Sequence, residues 1–440
     1  MNEVQSLLLD LLSRSAATIF GLFLFILTTI SLLRTAVVPR ALGSVVSQSV
    51  AWSITRVHTL IASRRSTYVK QDAVLAWNGP LIIVGQLLTW LVLYFFSYGL
   101  WMYGIGGFNL ADALRESGSS LFTLGFADTN QIGPAILSFM AAATGPIVIA
   151  LLISFLPTIY GAYIDREVTM SRLGISGGQP TWGPELLARL TLNQRLGDIA
   201  THMAAWTQWN GHLRLTHTTY PVLIQIRSPS PWRHWVIATL AVMDAASMHL
   251  SLNKSHAHAE CTETIIDGTL TLETIYSSFF VRTRKLNRIP FVGRFFGAPT
   301  PLTHLLTNSP GYQPGAVAFE KAATADSARG FSAEAIHRMV QGSKDGIQLT
   351  KEEFVSAAEM LKECGYPTDV DFDTAWEQFR VSRSRYEFIA YELAYALDVV
   401  PAPWSGKRNT TFDTVWPTSA NEIYQQEIKN TNTEDKPSTS

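Results

Sequence analysis

Three stretches of the chain are strongly apolar and contain no charged residue: Ala16–Leu33, Pro80–Tyr103 and Ile132–Ile164. A helix of about 20 apolar residues crosses the hydrocarbon core of a bilayer, so each stretch predicts one transmembrane helix. The third is long enough to extend beyond the bilayer or to bend at Pro146 and Pro157. A lipid bilayer is therefore the first predicted partner of the chain.

A cleaved signal peptide is the alternative interpretation of the first stretch. Signal peptides begin with a positively charged region and end at a cleavage site of small residues. Here Glu3 and Asp10 precede the apolar residues, and Arg34 follows them directly. The sequence therefore favours a retained transmembrane helix.

Basic residues are concentrated at one end of each predicted helix. Arg166 and Arg172 follow the third stretch. The connection between the first two stretches has one acid, Asp72, and several basic residues: Arg34, Arg40, Arg56, Arg64, Arg65 and Lys70. Since excess basic residues stay in the cytoplasm, we expect a multi-pass protein of the cell membrane. Its N-terminus and the loop before the third helix would lie outside, and its C-terminal domain would be cytoplasmic.

The connection between the first two stretches mixes apolar residues with Ser, Gln and Arg56. Over Ala41–Ser63 this pattern predicts an amphipathic helix, which lies either along the cytoplasmic membrane face or on the C-terminal domain. A crossing helix is disfavoured, because Arg56 alone would cost about 3 kcal/mol at membrane depth.

Glycines and a proline in Gly174–Pro180 predict a domain boundary. Beyond it the apolar spacing is helical, which predicts a mainly helical cytoplasmic domain. After Trp404 the chain becomes polar, as in disordered tails. The fold class is thus a mainly α membrane protein with three transmembrane helices, and its parts are an N-terminal transmembrane helix (1–40), an amphipathic connector (41–79), a pore domain (80–173), a helical cytoplasmic domain (174–404) and a disordered tail (405–440).

Composition agrees with a membrane part joined to a soluble part. Hydrophobic residues make up 47% and charged residues 16% of the chain, while the mean hydropathy of +0.13 is too low for a protein that lies wholly in the membrane. The net charge of −1 gives no reason to expect nucleic acid as a partner. Cys261 and Cys364 are far apart in sequence and are expected to be reduced thiols.

The loop before the third stretch contains the motif Thr123-Leu124-Gly125-Phe126-Ala127-Asp128. It resembles the selectivity filter of the two-transmembrane potassium-channel pore-domain superfamily, Thr-Val-Gly-Tyr-Gly-Asp, at its Thr, first Gly and Asp. The resemblance implies a re-entrant pore loop. It also implies that a permeant potassium ion, or another monovalent cation, is coordinated by the Thr123 hydroxyl and by the carbonyl oxygens of Thr123, Leu124, Gly125 and Phe126.

Three positions depart from the superfamily motif. Leu124 for Val keeps an apolar side chain, and Phe126 for Tyr loses a phenolic hydrogen bond. Ala127 stands where the superfamily has its second Gly. An alanine in a left-handed conformation costs about 1 kcal/mol, so potassium selectivity is less secure than pore identity.

Upstream of the motif, Asn109–Phe122 can form a short pore helix with Asn109 as its N-cap. Its apolar side carries Leu110, Ala113, Leu114 and Leu121, whereas Asp112, Arg115 and Glu116 fall elsewhere. The helix would direct its negative C-terminal end at a cation. An ordinary extracellular loop with an accidental motif is the alternative.

One pore loop cannot enclose an axis, and the chain holds no second copy of the unit, so a homotetramer is expected. The third helix would line the lower pore. Its Gly145, Pro146 and Pro157 could form a gating hinge, with a static kink as the alternative at Pro157. Asp165 and Glu167 could concentrate cations at the inner mouth, although solvated helix-end charges are favoured.

A metal site in the C-terminal half is disfavoured. His249, His256, His258, Glu260 and Cys261 are close in sequence, but the i, i+2 histidine pair does not share a helix face. An exposed polar helix end is the favoured interpretation, and the chain shows no phosphate-binding glycine loop or dinucleotide motif. No cofactor beyond the permeant ion, and no enzymatic activity, is expected.

Segments of the C-terminal half resemble a group of bacterial ion-channel-like proteins of uncharacterised function. The likeness lies in Thr219–Leu223, Arg227-Ser228, the helix carrying Asp244, and Pro401–Trp404. It identifies no cytoplasmic ligand or protein partner. The sequence therefore favours a tetrameric cation channel that prefers potassium, with a non-conducting, pore-like membrane anchor that presents a scaffold or sensor domain as the alternative.

Overall fold

The computed structural model describes residues 3–38, 44–127, 129–287 and 347–406, which are mainly helical. Within them, four helices are long and apolar enough to cross a membrane: Gln5–Val37, Tyr68–Ile105, Ile132–Gly174 and Trp235–Leu252. The first three contain the three predicted spans. The fourth is almost wholly buried within the protein, so the protein core accounts for its apolar residues. The described part of the chain is therefore mainly helical, with several helices that could span a membrane.

The described residues form thirteen α-helices. They are α1 (Glu3–Leu32), α2 (Val45–Ala62), α3 (Tyr68–Leu75), α4 (Asn78–Ile105), α5 (Leu110–Leu121), α6 (Ile132–Gly177), α7 (Gly183–Leu192), α8 (Ile199–Thr219), α9 (Trp235–Leu252), α10 (Ala259–Asn287), α11 (Lys351–Glu363), α12 (Phe372–Arg383) and α13 (Glu387–Ala396). The predicted tail from 407 onward lies outside the described residues.

The chain divides into two packing units. Unit 1 takes its described residues from Met1–Ile61, Trp77–Ala162 and Thr219–Ile226. Unit 2 takes them from Ala62–Ala76, Tyr163–Thr218 and Arg227–Ser440. The sequence placed the boundary at Gly174–Pro180, but α6 runs on to Gly177 and the units divide inside this helix. Glycine weakens a helix without forcing it to end.

In unit 1, α1 lies antiparallel to the second half of α4. The Oγ1 of Thr29 and the hydroxyl of Tyr94 are 2.9 Å apart, and the Nε1 of Trp90 donates to the Oγ of Ser31 at 3.0 Å. A Cβ built on Gly21 would be 2.8 Å from the carbonyl oxygen of Ser97. Small residues of this kind allow close approach of membrane helices, where apolar packing alone gives little specificity.

The connector helix α2 continues along the first half of α4. A Cβ built on Gly85 would meet Ile54 at 2.8 Å and Val50 at 3.4 Å, and the Nδ1 of His58 is hydrogen-bonded to the Oδ1 of Asn78. The sequence predicted an amphipathic helix here, placed either along the cytoplasmic membrane face or on the C-terminal domain. Neither placement included this lengthwise contact with α4. The contact depends on the groove at Gly85, which the connector's own residues do not reveal.

Unit 2 is built around α9, whose residues are nearly all buried. Its Asp244 forms an ion pair at 2.6 Å with Arg383, which is fully buried. Arg383 also binds Glu387 at 2.6 Å and donates to the carbonyl oxygen of Trp404 at 2.6 Å. Two segments that carried the bacterial resemblance, the helix of Asp244 and Pro401–Trp404, therefore meet at one guanidinium.

A second buried arginine, Arg227, joins three parts of unit 2. It donates to the Oδ1 of Asp72 in α3 at 2.8 Å and to the carbonyl oxygens of Leu397 and Asp398, each at 2.8 Å. A buried guanidinium is tolerated when it is paired and hydrogen-bonded in this way. The role of Arg227 in unit 2 is therefore structural.

Two stretches of continuous helical apolar spacing, Pro184–Trp206 and Phe372–Leu397, are each divided between two helices in the structure. Pro184–Trp206 is broken where Gln194 adopts a φ of 57° between α7 and α8. Phe372–Leu397 is broken between α12 and α13. The apolar spacing continues across both breaks, so periodicity alone did not reveal them.

Candidate ion-conduction site

The short helix α5 ends beside the middle of two membrane-length helices. Its Ser117 donates a hydrogen bond to the carbonyl oxygen of Phe95 in α4 at 2.8 Å. The carbonyl oxygen of Leu121 lies against α6, where a Cβ built on Gly145 would be 2.0 Å from it. At 1.5 Å per residue, Phe95 lies about 15 Å from the end of α4, and Gly145 lies about 20 Å from the start of α6. The C-terminal end of α5 thus lies at mid-depth of both helices.

The start of α5 is where the sequence placed it. The Oδ1 of the N-cap Asn109 accepts a hydrogen bond from the amide of Asp112 at 2.9 Å. Ala113 and Leu121 are buried in the hydrophobic core of unit 1, together with Tyr98. The predicted apolar side of this helix is therefore confirmed at these two residues.

After Leu121 the filter-like segment folds back onto the last turn of α5. The amide of Thr123 donates to the carbonyl oxygen of Ser120 at 2.9 Å, and that of Leu124 to the carbonyl oxygen of Ser119 at 2.7 Å. The buried Ser119 hydroxyl accepts from the amide of Ala127 at 3.0 Å and donates to its carbonyl oxygen at 3.2 Å. No described residue donates a hydrogen bond to the carbonyl oxygens of residues 123–126. They are available as ligands.

The segment includes two residues with left-handed backbone conformations. Gly125 has a φ of 70° and Thr123 a φ of 55°. Ala127, where the sequence analysis expected the left-handed cost, is not among the positive-φ residues of this segment. The cost falls instead on Thr123, and left-handed geometry is rare for a β-branched residue. Such local strain is concentrated at functional sites.

The side chains of the motif differ in their surroundings. Leu124 and Phe126 are exposed in the isolated chain. The guanidinium of Arg115 lies 5.5 Å from the centre of the Phe126 ring, so Phe126 has a cationic neighbour in place of a phenolic hydrogen bond. Asp128, the last residue of the motif, lies outside the described residues.

Glu116 is a buried acid that the sequence analysis missed. Its position was assigned to the polar side of α5, yet it is only 3% exposed. Its Oε1 accepts hydrogen bonds from Ser138 of α6 at 2.6 Å and from Ser120 at 3.3 Å. The i, i+4 spacing of Glu116 and Ser120 was a signal for the second bond. The hydroxyl of Ser138 thereby joins α6 to α5.

The candidate hinge residues lie inside an unbroken helix. Pro146 and Pro157 are both within α6. Gly145 permits the close contact with α5, and the neighbouring Thr144 shares a hydrogen bond of 2.7 Å with the Tyr98 hydroxyl of α4. Gly145 therefore has a packing role in this conformation, and its role as a hinge stays a prediction.

Past the membrane-length part of α6, Glu167 is not the solvated helix-end charge that the sequence favoured. It is buried, and its Oε1 accepts from Arg166 at 2.8 Å and from Ser228 at 2.9 Å. The Nη1 of Arg166 lies 3.1 Å from the Nε2 of His217. Burial and the adjacent Arg166 hold the pKa of His217 well below its ordinary value. His217 is thus the neutral hydrogen-bond acceptor of this cluster.

The histidines considered for a metal site have other partners. The Nδ1 of His249 is 2.5 Å from the Tyr366 hydroxyl, and its Nε2 is 3.0 Å from the carbonyl oxygen of His256. Within the described ranges, no group of three or more His, Cys, Asp or Glu side chains could hold a metal ion. Both ring nitrogens of His249 instead hold α9 to neighbouring segments of unit 2.

Comparison of the chain with protein-family models, with curated proteins and with solved structures found no match.

Proposed function

We propose that the chain is one subunit of a tetrameric cation channel of the cell membrane, with potassium as its preferred ion and a cytoplasmic C-terminal half. One observation carries the proposal: α5 ends at mid-depth of two membrane-length helices and is followed there by non-helical backbone with free carbonyl oxygens. Irregular backbone at membrane depth is tolerated where it is buried in protein or lines water.

The chemistry of this segment suits a dehydrated cation. A ring of backbone carbonyls can replace the water shell of a permeating ion, and several chains must meet to form such a ring. The C-terminal end of α5 carries a partial negative charge that favours a cation. Four copies of Thr123–Ala127 around one axis would supply the carbonyls, and the Thr123 hydroxyl would add a ligand layer.

The test is ion flux through the purified full-length protein in lipid vesicles under a potassium gradient. We expect single-channel currents from the wild type and loss of current, or of potassium preference, in Gly125→Ala. A Cβ at Gly125 meets no atom within 4 Å, so the substitution acts through the positive φ alone.

Gly161→Ala is the matched control, because a Cβ at Gly161 also meets no atom within 4 Å while the residue lies inside helix α6. Its currents should match those of the wild type. Silent wild-type vesicles that contain confirmed tetramers would rule the channel out.

A non-conducting, pore-like anchor is the second candidate, and one observation favours it. The guanidinium of Arg115 places a fixed positive charge next to the ring of Phe126. Phe126 belongs to the segment that a cation would have to pass. Such a protein would still assemble around α5 and α6 but would carry no current. Arg115→Gln discriminates, since conduction that appears only in this variant would indicate a blocked pore.

A further inference from the structure

The turn that leads from α4 into α5 is held by an arginine of α1. The Nη1 of Arg14 donates to the carbonyl oxygen of Tyr103 at 2.9 Å and to that of Phe108 at 3.2 Å. Tyr103 lies in the last turn of α4, where backbone carbonyls lack helical partners. Phe108 directly precedes Asn109, the N-cap of α5. One guanidinium therefore binds the end of one helix and the entry to the next.

Arg14 is itself fixed from two sides. Its Nε donates to the Oδ2 of Asp10, one helical turn earlier, at 2.8 Å. The guanidinium also lies 4.9 Å from the centre of the Tyr103 ring. A planar guanidinium loses little freedom for each hydrogen bond that it forms. The side chain is thus preorganised to hold the two carbonyls.

The turn is packed closely on its other sides. Gly107 has a φ of 68°. A Cβ built on Gly106 would be 2.6 Å from the Cγ of Pro134 in α6 and 2.8 Å from the carbonyl oxygen of Met102. The turn is therefore confined by α4 and α6, and Arg14 adds a charged contact from α1.

We propose that Arg14 is a positioning residue for the ion path, an inference that rests on the proposed channel function. By holding the Phe108 carbonyl it fixes the point at which α5 begins. Helix α5 is 12 residues long and carries the Thr123–Ala127 segment on its last turn. Because a short helix moves as a rigid rod, a displacement at Asn109 reaches the carbonyls of the candidate filter.

The experiment compares hydrogen exchange of wild type, Arg14→Gln and Arg14→Lys in full-length protein in lipid nanodiscs. Hydrogen bonds to a charged group are strong, so we expect at least about tenfold faster exchange in Arg14→Gln at residues 108–113 and at Leu124, Gly125 and Ala127. Arg14→Lys keeps the charge but lacks the planar fork, and it should restore part of the protection.

Arg34→Gln is the control, because Arg34 is an exposed arginine in the π-helical turn Leu33–Val37, which directly follows the C-terminal end of α1. It should leave exchange at 108–113 and 124–127 unchanged. Faster exchange in Arg14→Gln that is confined to α1 and to the end of α4 would overturn the proposal, since Arg14 would then only join two helices.

Ion preference supplies a second readout that a purely structural anchor would not change. The reversal potential under mixed potassium and sodium should shift in Arg14→Gln vesicles and recover in part in Arg14→Lys. An unchanged reversal potential with normal currents would count against positioning. If wild-type vesicles carry no current, the channel function fails, and the exchange at residues 124–127 still decides whether Arg14 positions this segment.

Discussion

At the residue scale, Ser119 has an unusual concentration of contacts for a small side chain. Its carbonyl oxygen accepts from the amide of Leu124, and its hydroxyl contacts both backbone polar groups of Ala127. The residue spans the candidate filter from its second to its fifth position. The Ser119 hydroxyl therefore holds the backbone at Ala127.

Removal of this hydroxyl in Ser119→Ala should loosen the outer end of the segment. A net hydrogen bond contributes about 0.5–1.5 kcal/mol, so exchange of the Ala127 amide should accelerate up to about tenfold, and potassium preference should fall. Ser120→Ala is the control, because the Ser120 hydroxyl binds Glu116 and not the motif. Equal effects of both substitutions would contradict a specific role for Ser119.

At the element scale, the contact between α5 and α6 depends on the absence of a side chain at Gly145. A Cβ there would lie 2.0 Å from the Leu121 carbonyl oxygen and 3.1 Å from its carbon. No rotamer change can relieve a clash with backbone, so the two helices must separate. This contact is the structural reason for a glycine at the position that the sequence suggested for a hinge.

Gly145→Ala should therefore destabilise unit 1 by about 1–3 kcal/mol, as overpacked sites do. Gly161→Ala, in the same helix but in open space, should be neutral or slightly stabilising, because alanine favours helix. Thermal unfolding of the purified protein in detergent compares the two. A Gly145→Ala variant with wild-type stability would show that α5 does not pack on α6 in this way.

Helix starts, which depend on neighbouring residues, were predictable from the sequence. Contacts between segments far apart in the chain were not. The N-cap Asn109 and the start of α11 at Lys351 follow from residues close in the chain. The buried Glu116 depends on Ser138, more than 20 residues away, and α2 depends on the groove at Gly85 in α4. Charged or amphipathic residues show that a contact is needed but do not identify the partner.

At the scale of the whole molecule, the two units differ in their exposed surfaces. In unit 1, large apolar side chains such as Ile19, Val84 and Ile153 are 48–71% exposed. Surfaces of this kind require lipid or neighbouring subunits. In unit 2, by contrast, the most apolar helix, α9, is buried by the unit's own helices. High helix hydropathy therefore corresponds to an exposed apolar surface in unit 1 and to burial within the protein in unit 2.

Unit 2 also contains two buried acids that make its stability sensitive to pH. Burial alone raises the pKa of Glu273 and of Glu392 from about 4.5 to about 7. The folded state therefore binds protons that the unfolded state has lost, and this contribution is fully present below about pH 4.5. It is lost as the pH rises through 7, by at most about 1.4 kcal/mol per pH unit for each carboxyl.

Glu392→Gln mimics the protonated acid and should flatten the loss of stability between about pH 4.5 and 7. Denaturant unfolding of the full chain, followed by tryptophan fluorescence at several pH values, measures this slope. Glu352→Gln alters an exposed glutamate of α11 and should leave the slope unchanged. A Glu392→Gln slope equal to that of the wild type would mean that Glu392 is not a source of the pH dependence.

The orientation of the whole chain in the membrane can be tested with thiol labelling. Both native cysteines, Cys261 and Cys364, are buried, and burial raises the pKa of each thiol, so they give little background with a maleimide. Three crossings and the basic connector predict an external N-terminus and an internal C-terminal half. In intact cells a membrane-impermeant maleimide should therefore label Ser6→Cys at once and Glu352→Cys only after permeabilisation. Labelling of both positions from the same side would require an even number of crossings. The side of the membrane on which the filter-like loop lies would then have to be reassigned.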